Sequence, residues 1–310
     1  MSIMDKLKQN TKLKATEVLS ESKFFNEKDQ TQTDVPMVNV ALSGSVDGGL
    51  SSGLIVLAGP SKHFKTSFAL MMASSYLKKH KDSVMLFYDS EFGSPQAYFE
   101  QFDIDTSRVL HTPITNVEEL KFDLISQLDN MDRKDNVIVV IDSIGNLASK
   151  KEMEDTMNEK SVADMSRAKA LKGLFRMAKA IVGGGTGIYY SADNIWILGR
   201  RQNKTGTEVT GYDFIINVEK SRYVKEKSKI PVSVSWEGGI EKYSGLLEVA
   251  MAGGYVVKPN AGWYQESKVR EKETLKEEFW QPIFDNTDFK EFIKKQYTIG
   301  HKDMVELDIE

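Results

Sequence analysis

The fold is decided by residues 54–66, which read LIVLAGPSKHFKT. Five apolar residues, 54–58, form a candidate strand, and the loop after them enters a segment, 66–79, that has helical periodicity. The loop follows the phosphate-binding pattern G-x-x-x-x-G-K-[S/T], except that Phe64 stands where the second glycine is expected. A loop placed in this way between a strand and a helix predicts that backbone N–H groups surround a phosphate group.

The side chains of this loop suit a nucleoside triphosphate that is bound together with Mg²⁺. Lys65 supplies a point charge to the β- and γ-phosphates, and Thr66 supplies a hydroxyl to the metal ion. An ordinary lysine-bearing turn is the alternative interpretation. Phe64 fits a binding loop if its φ angle is negative and its ring points away from the phosphates. The residues predicted to contact the nucleotide are Gly59, Pro60, Ser61, Lys62, His63, Phe64, Lys65, Thr66 and Ser67.

Two further apolar runs, 84–88 and 137–141, alternate with helical segments and end in acidic residues. Strands that are apolar throughout are typical of parallel sheets, so the alternation predicts a doubly wound α/β core. Asp142 ends the second run and is a candidate Mg²⁺ ligand. Glu91, just after the first run, is the candidate base that deprotonates the attacking water, with Asp89 as the rival. Without a nucleotide, the same acids would cap turns or lie in a solvated loop.

The chain divides into three parts by the pattern of its polar and apolar residues. Residues 1–34 predict an N-terminal oligomerisation helix and a linker, residues 35–240 the ATPase core, and residues 241–310 a small C-terminal domain. Beyond residue 183, apolar runs follow one another without long helices and predict antiparallel or mixed additions to the sheet. These runs are 195–198, 214–218 and 232–236.

The composition excludes several classes of chemistry. There are no cysteines, so disulfides, cysteine-ligated zinc and thiol catalysis are ruled out. No apolar run approaches the length of a membrane span, and the lysine-rich start lacks the apolar core of a signal peptide, which predicts a cytosolic protein. Because the net charge is −4, binding to nucleic acid would depend on local basic clusters.

Several stretches resemble the RecA/Rad recombinase family, and within it the UvsX recombinases of T-even-type myophages and their cyanophage relatives. They are SKFFNEK at 22–28, AGPSK at 58–62, LFYDSEFG at 86–93, IDSIGNLASKK at 141–151, NVEKSR at 217–222 and YSGLL at 243–247. They follow the family's order over nearly the whole chain, which is more specific than the nucleotide-binding motifs. The resemblance implies an α/β fold with a RecA-like P-loop NTPase core, a mostly parallel twisted sheet with helices on both faces.

The resemblance also implies a function. Family members are DNA-dependent ATPases that carry out strand exchange in homologous recombination as helical filaments on single-stranded DNA. ATP, Mg²⁺, double-stranded DNA, a recombination mediator and a single-strand-binding protein are the implied cofactors and partners, and the host cytoplasm is the implied location of such a phage protein. Two alternatives stay open: a ring-forming helicase-type ATPase of the same fold, and a recombinase paralogue that does not hydrolyse ATP.

Further roles come from the resemblance, residue by residue. It keeps Lys65, Thr66, Glu91 and Asp142 in the roles above. It implies that Tyr98 stacks on adenine, whereas an ordinary helix-face aromatic is the alternative. It implies that Lys220 and Arg222 reach the γ-phosphate of the neighbouring subunit and take part in catalysis. The implied DNA contacts lie in two loops and in the helix after the first of them: Lys151, Lys160, Arg167, Lys169, Gly183, Gly184 and Gly185.

Basic residues outnumber acidic ones in 150–179 and in 200–229, which supplies the local clusters that DNA binding requires. A solvated helix or hairpin face is the alternative interpretation of each cluster.

The connection between residues 176 and 183 is shorter than the family pattern requires. The family has a core strand here, which ends in a polar residue that senses the γ-phosphate, followed by a DNA loop. A second shortening falls between residues 265 and 268. One hypothesis is that residues are lacking from the sequence at this point, which predicts a spatial break and an unfilled position in the sheet. The other is a real loss of the strand; we take the first as the working hypothesis.

Overall fold

The computed structural model describes most of the chain from Ser2 to Gly300. The described residues are 2–12, 16, 18, 30–132, 135–158, 166–182, 192–205, 208–235, 239–265, 268–270, 274 and 276–300, with the backbone alone at 176–182, 203–205, 208 and 210. In chain order the helices are α1 Ile3–Asn10, α2 Pro36–Ser43, α3 Lys65–Lys79, α4 Gln96–Glu100, α5 Val117–Asp129, α6 Lys150–Met157, α7 Ser166–Val182, α8 Leu246–Ala252, α9 Glu277–Asn286 and α10 Phe289–Tyr297. The strands are β1 Ile55–Ala58, β2 Val84–Asp89, β3 Val109–Pro113, β4 Val137–Asp142, β5 Asn194–Thr205, β6 Glu208–Ser221, β7 Lys229–Ser235, β8 Gly239–Ile240, β9 Trp263–Tyr264 and β10 Val269–Arg270.

A three-stranded parallel sheet in the order β3-β2-β4 forms the centre of the α/β core. Helix α3 covers one face, where its Leu70 and Leu77 pack with Phe87 of β2. Helices α5 and α7 cover the other face, where Leu120 and Leu174 are fully buried. Helices on both faces explain why β2 and β4 are apolar up to their terminal residues, Asp89 and Asp142, so the predicted α/β class is confirmed.

A second, five-stranded sheet has the order β1-β5-β6-β7-β8. Strand β1 pairs with β5 in parallel, whereas β5, β6, β7 and β8 pair in antiparallel fashion, as predicted for the runs beyond residue 183. The prediction that these runs extend the sheet of the other core strands is wrong, because β5 pairs with β1 and not with a strand of the β3-β2-β4 sheet. Its core is shared with α2 and with the C-terminal helices, because Met37, Val232, Trp280 and Phe289 belong to one buried cluster. The segment from residue 241 therefore packs directly on the core sheet.

The two sheets are not joined through β1 and β4. Each of these strands lies at an edge of its own sheet, and no strand in the described part of the chain pairs with both. Helix α3 contacts both strands and holds the sheets next to each other. The predicted unfilled position in the sheet is therefore confirmed.

The spatial break predicted between residues 176 and 183 is wrong. Helix α7 runs without interruption from Ser166 to Val182, so the chain passes through this stretch continuously. Residues 176–182 form the last turns of this helix. Of the two features that the working hypothesis predicts, the structure therefore has the interrupted sheet and does not have the break within Ser166–Val182.

Candidate active site

Three loops meet at the carboxyl ends of the parallel strands. The phosphate loop follows β1, the segment 89–92 ends β2, and the segment 142–147 ends β4. Asp89 and Asp142 lie directly opposite each other in the β2–β4 register. Parallel strands end at the same edge of a sheet, which is where doubly wound folds place their chemistry. The fold therefore brings the residues of all three motifs to one place.

Phe64 takes the backbone conformation of the glycine that it replaces. Its φ angle is +55°, in the left-handed region, and it is the N-cap of α3. The condition of a negative φ is therefore not met, because the turn into the helix requires the left-handed conformation, at a cost of about 1–2 kcal/mol for a residue with a side chain. The ring points away from the loop, as predicted, and packs on Phe214 of β6 with ring centroids 5.1 Å apart.

Arg200 of β5 supports the phosphate loop from the neighbouring strand. Its guanidinium donates to the carbonyl of Lys62 at 2.9 Å and lies 4.5 Å from the ring centroid of Tyr212. Lys62 itself has a φ of +62°, so the contact holds a second left-handed residue of the loop. This role could not be predicted from the sequence, because the contact depends on the pairing of β1 with β5.

Lys65 and Thr66 start α3 at the centre of the site. The Lys65 ammonium donates to the carbonyl of Pro60 at 2.9 Å, which keeps the charge within the loop. The Thr66 hydroxyl donates to Oδ2 of Asp142 at 2.7 Å, although the two residues are 76 positions apart. The predicted loop and the predicted strand-end carboxylate are therefore in direct contact.

The Asp142 carboxyl lies in surroundings that favour a cation. Burial raises the pKa of Asp142, and the nearby charges of Glu91 and Asp89 raise this pKa further, against the opposite effect of the Thr66 hydrogen bond and of Lys65. Mg²⁺ is usually held by one or two carboxylates, a hydroxyl and phosphate oxygens. The hydroxyl of Thr66 and the carboxylate of Asp142 provide such donors, so these residues fit the metal.

We expect Asp142→Asn to stabilise the nucleotide-free protein at neutral pH. Because folding raises the pKa of Asp142, the ionised carboxylate lowers the free energy of unfolding. This destabilisation grows as the pH rises from about 4, the pKa in the unfolded chain, through the pKa in the folded protein. The asparagine removes the charge and can still accept the Thr66 hydrogen bond. Thermal unfolding at neutral pH and near pH 4 measures the effect, which should vanish at the lower pH. Asp82→Asn, at an exposed carboxylate, is the control, and equal unfolding temperatures for both variants would contradict the expectation.

Asp89 and Glu91 differ in what their carboxylates contact. Asp89 is 2% exposed, and its Oδ1 accepts the backbone N–H groups of Glu91 at 2.9 Å and of Phe92 at 2.7 Å. Its Oδ2 lies 3.3 Å from Nε2 of His111. Glu91 is exposed at the mouth of the site. Asp89 thus shapes the loop that presents Glu91, and this geometry favours Glu91 over Asp89 as the base.

Glu91 is held by two side chains of the segment that follows β4. Ser143 Oγ donates to its Oε1 at 3.0 Å, and Asn146 Nδ2 donates to the same oxygen at 3.2 Å. Ser90 ties the two loops together, since its hydroxyl donates to the carbonyl of Ser143 at 2.7 Å. Sequence reasoning gave no role to Ser143 or Asn146, although both lie in the stretch 141–151.

Tyr98 lies beside the first turn of α3. Its hydroxyl is 2.6 Å from the hydroxyl of Ser67, and its half-buried ring packs edge-on against Phe102 with centroids 5.6 Å apart. The residue is therefore next to the phosphate loop. Stacking on adenine stays a prediction.

Lys220 and Arg222 lie toward the start of β1, whereas the phosphate loop follows its other end. Lys220 is level with Val56 across β5, and the Arg222 guanidinium pairs with Asp193 at 2.5 Å. The second Asp193 oxygen accepts the N–H of Leu54, the residue before β1, at 2.9 Å. The structure therefore does not bring the two cations to the phosphate loop of the same chain.

The residues predicted to contact DNA fall into three groups. Lys151 and Lys169 are exposed on α6 and α7. Arg167 is half-buried, and its guanidinium donates to the carbonyls of Leu147, Ile144 and Gly145 at 2.6–3.1 Å. The others lie outside the described residues: Lys160, Gly183, Gly184 and Gly185.

Comparisons with known proteins give the family relationships of this chain. A family profile described as the RecA N-terminal domain matches residues 18–186, and one described as the C-terminal domain of the bacteriophage T4 recombination and repair protein matches residues 243–293. The recombination and repair protein of Enterobacteria phage T4 is 46% identical over 333 aligned positions, with 95% of this chain and 85% of the relative covered. Protein RecA of Mycoplasma mycoides is 24% identical over 260 positions, with 73% and 72% covered, and Protein RecA of Chloroherpeton thalassium is 24% identical over 283, with 80% and 77% covered.

The alignment with the phage T4 protein also bears on the length of this chain. It spans 333 positions, although the chain has 310 residues. Some positions of the relative therefore have no counterpart here.

Within the described residues, no helix is both long and apolar enough to cross a lipid bilayer.

Proposed function

Because the chain belongs to the RecA family, we propose that it is a DNA-dependent ATPase that carries out strand exchange in homologous recombination, as a helical filament on single-stranded DNA. ATP with Mg²⁺ is the proposed substrate complex, and double-stranded DNA is the proposed second DNA partner. The site supports this proposal through one observation above the others: Thr66 and Asp142, from two distant motifs, meet at 2.7 Å beside Lys65 and Glu91. A recombination mediator and a single-strand-binding protein are proposed partners by family membership alone.

The hydrolytic step follows from the positions of these side chains. The loop N–H groups and Lys65 would bind the phosphates, and Thr66 and Asp142 would hold Mg²⁺, which would neutralise charge on the phosphate oxygens. Ser143 and Asn146 both donate hydrogen bonds to Oε1 of Glu91. The other carboxylate oxygen, Oε2, is therefore the one that accepts the proton of the attacking water. The water oxygen bonds to the γ-phosphorus, the bond to the β–γ bridging oxygen breaks, and ADP and phosphate result.

The placement of Lys220 and Arg222 supports a site that is shared between subunits. In each subunit they lie near the start of β1, and the phosphate loop lies beyond its end. Subunits that stack head to tail would bring the cations of one subunit to the loop of the next. Such a contact is heterologous, so it repeats along a helix when it does not close into a ring. Electron microscopy of the protein on single-stranded DNA with ATP separates the two outcomes, and closed rings would favour the helicase-type alternative.

Complementation between two inactive variants tests the shared site. We expect a mixture of Lys65→Ala and Arg222→Ala subunits to regain part of the ATPase activity, because some interfaces join an intact loop to intact cations. A mixture of Lys65→Ala and Glu91→Gln subunits is the matched control. Both of its defects lie on the loop side of the interface, so no ratio should restore activity. Absence of rescue in the first mixture, in filaments shown to contain both variants, would contradict a shared site.

Binding to single-stranded DNA is expected to weaken strongly with salt and to depend little on sequence. The exposed lysines on α6 and α7 suit phosphate contacts, and each neutralised phosphate contributes about −0.7 to the log–log slope of affinity against salt. Titration of labelled oligonucleotides of different composition at several salt concentrations measures both properties. A nearly flat plot, or affinities that differ widely between sequences, would argue against this mode of binding.

The split between the two sheets favours a second candidate function. The strand that would carry a γ-phosphate sensor in the family pattern has no counterpart between β1 and β4 in the described structure. A recombinase paralogue that binds nucleotide and DNA without hydrolysis is therefore the alternative. ATPase assays with and without single-stranded DNA distinguish the two, because hydrolysis stimulated by DNA would exclude the alternative.

A further inference from the structure

Arg167 joins the start of α7 to the segment that follows β4. Its Nε donates to the carbonyl of Leu147 at 2.6 Å, and its terminal nitrogen donates to those of Ile144 and Gly145 at 3.0 and 3.1 Å. One planar guanidinium thus holds the backbone on both sides of Asn146. A guanidinium suits this task because its donors form a rigid fork, which a lysine cannot reproduce.

The same segment is anchored at two neighbouring points. Leu147 is 1% exposed and packs with Leu171 of α7, and the hydroxyl of Ser166 donates to that of Ser149 at 2.7 Å. Because the first turn of α7 and the segment 144–149 are joined by side-chain, backbone and apolar contacts, a movement of one shifts the other. The exposed Asn146 extends from this segment to Glu91.

We propose that Arg167 is a positioning residue, which connects binding of single-stranded DNA by the exposed lysines of α6 and α7 to the orientation of Glu91. This inference rests on the proposed function, in which Lys151 and Lys169 contact DNA and Glu91 is the base. The route runs from the start of α7 through the Arg167 guanidinium and the carbonyls beside Asn146 to Oε1 of Glu91. It does not use a strand between β1 and β4, so it is available in a core whose two sheets are separate.

Steady-state kinetics with oligo(dT) test the role. Arg167→Met is expected to lower kcat at saturating oligo(dT) on the order of 10- to 100-fold, the effect of displacing a catalytic group, and to leave the KM for ATP unchanged. Asn146→Ala, at an exposed position, should show the same pattern, and the double variant should lose little more than Arg167→Met alone. Arg167→Lys should recover only part of the loss. Thermal unfolding of each variant identifies any loss of the fold.

Arg108→Met is the matched control for the loss of an arginine that binds backbone carbonyls. The Arg108 guanidinium donates to the carbonyls of Ser83 and His80, at the end of β2 away from the site. Its removal should change stability and leave kcat at the wild-type value.

If Arg167→Met raises only the half-saturating DNA concentration and leaves kcat unchanged, Arg167 only contacts the DNA phosphates. That result, or additive losses in the double variant, would overturn the proposal.

Amide hydrogen exchange gives a readout that does not depend on hydrolysis. In the wild-type protein, oligo(dT) should change exchange at residues 143–147, and in Arg167→Met this response should disappear. An unresponsive segment in DNA-bound wild-type protein would overturn the proposal. Failure of the proposed function is recognised by two separate results. Turnover of Glu91→Gln at the wild-type rate would show that Glu91 is not the base. Failure of the wild-type protein to bind oligo(dT) would show that it does not bind single-stranded DNA.

Discussion

Lys65→Ala is expected to abolish ATP turnover and to weaken ATP binding severely. Lys65 is the cation at the start of α3, and its ammonium lies within the phosphate loop, 2.9 Å from the carbonyl of Pro60. Loss of one donor that stabilises developing charge usually lowers turnover about 10²–10³-fold, and here the lost donor is also charged. The remaining N–H groups of the loop cannot replace a full positive charge at the β- and γ-phosphates.

Two measurements check this expectation. Phosphate release gives turnover, and a fluorescent ATP analogue gives the affinity. Lys78→Ala is the matched control, because Lys78 lies in the last turn of the same helix and pairs with Asp103 on the surface. The control should keep both properties. Turnover by Lys65→Ala within a few-fold of the wild type would show that the loop does not bind the transferred phosphate.

Glu91→Gln is expected to bind ATP normally and to lose about 10²–10⁴-fold in hydrolysis, the usual contribution of a positioned base. The amide keeps the size of the side chain, and its oxygen can still accept the hydrogen bonds of Ser143 and Asn146. It cannot accept the proton of water. The substitution therefore removes the chemistry and preserves the geometry of the loop.

Asp89→Asn separates the rival carboxylate from Glu91. The carboxylate of Asp89 accepts two backbone N–H groups of its own loop, so this substitution should lower stability as well as turnover. Single-turnover hydrolysis and thermal unfolding of both variants give the comparison. Wild-type turnover by Glu91→Gln would move the role of base to Asp89.

The sequence by itself determined the α/β class and the position of the motifs along the chain. Strands β2 and β4 are apolar up to their terminal residues because helices cover both faces, and this pattern can be read from a few adjacent residues. Parallel strands then place their carboxyl ends together, so Thr66 and Asp142 could be expected in one site before their contact at 2.7 Å was known. The antiparallel strands beyond residue 183 were predicted from apolar runs that follow one another without long helices between them.

Only the tertiary structure decided which partners each side chain has. The left-handed φ of Phe64 follows from the turn into α3 together with the packing of its ring on Phe214, a residue 150 positions away. The guanidinium of Arg167 holds three carbonyls of the segment 144–147, a contact that the sequence did not predict. The break expected between residues 176 and 183 is replaced by a continuous helix. Such contacts depend on strand register and helix packing across the whole chain, which local periodicity does not encode.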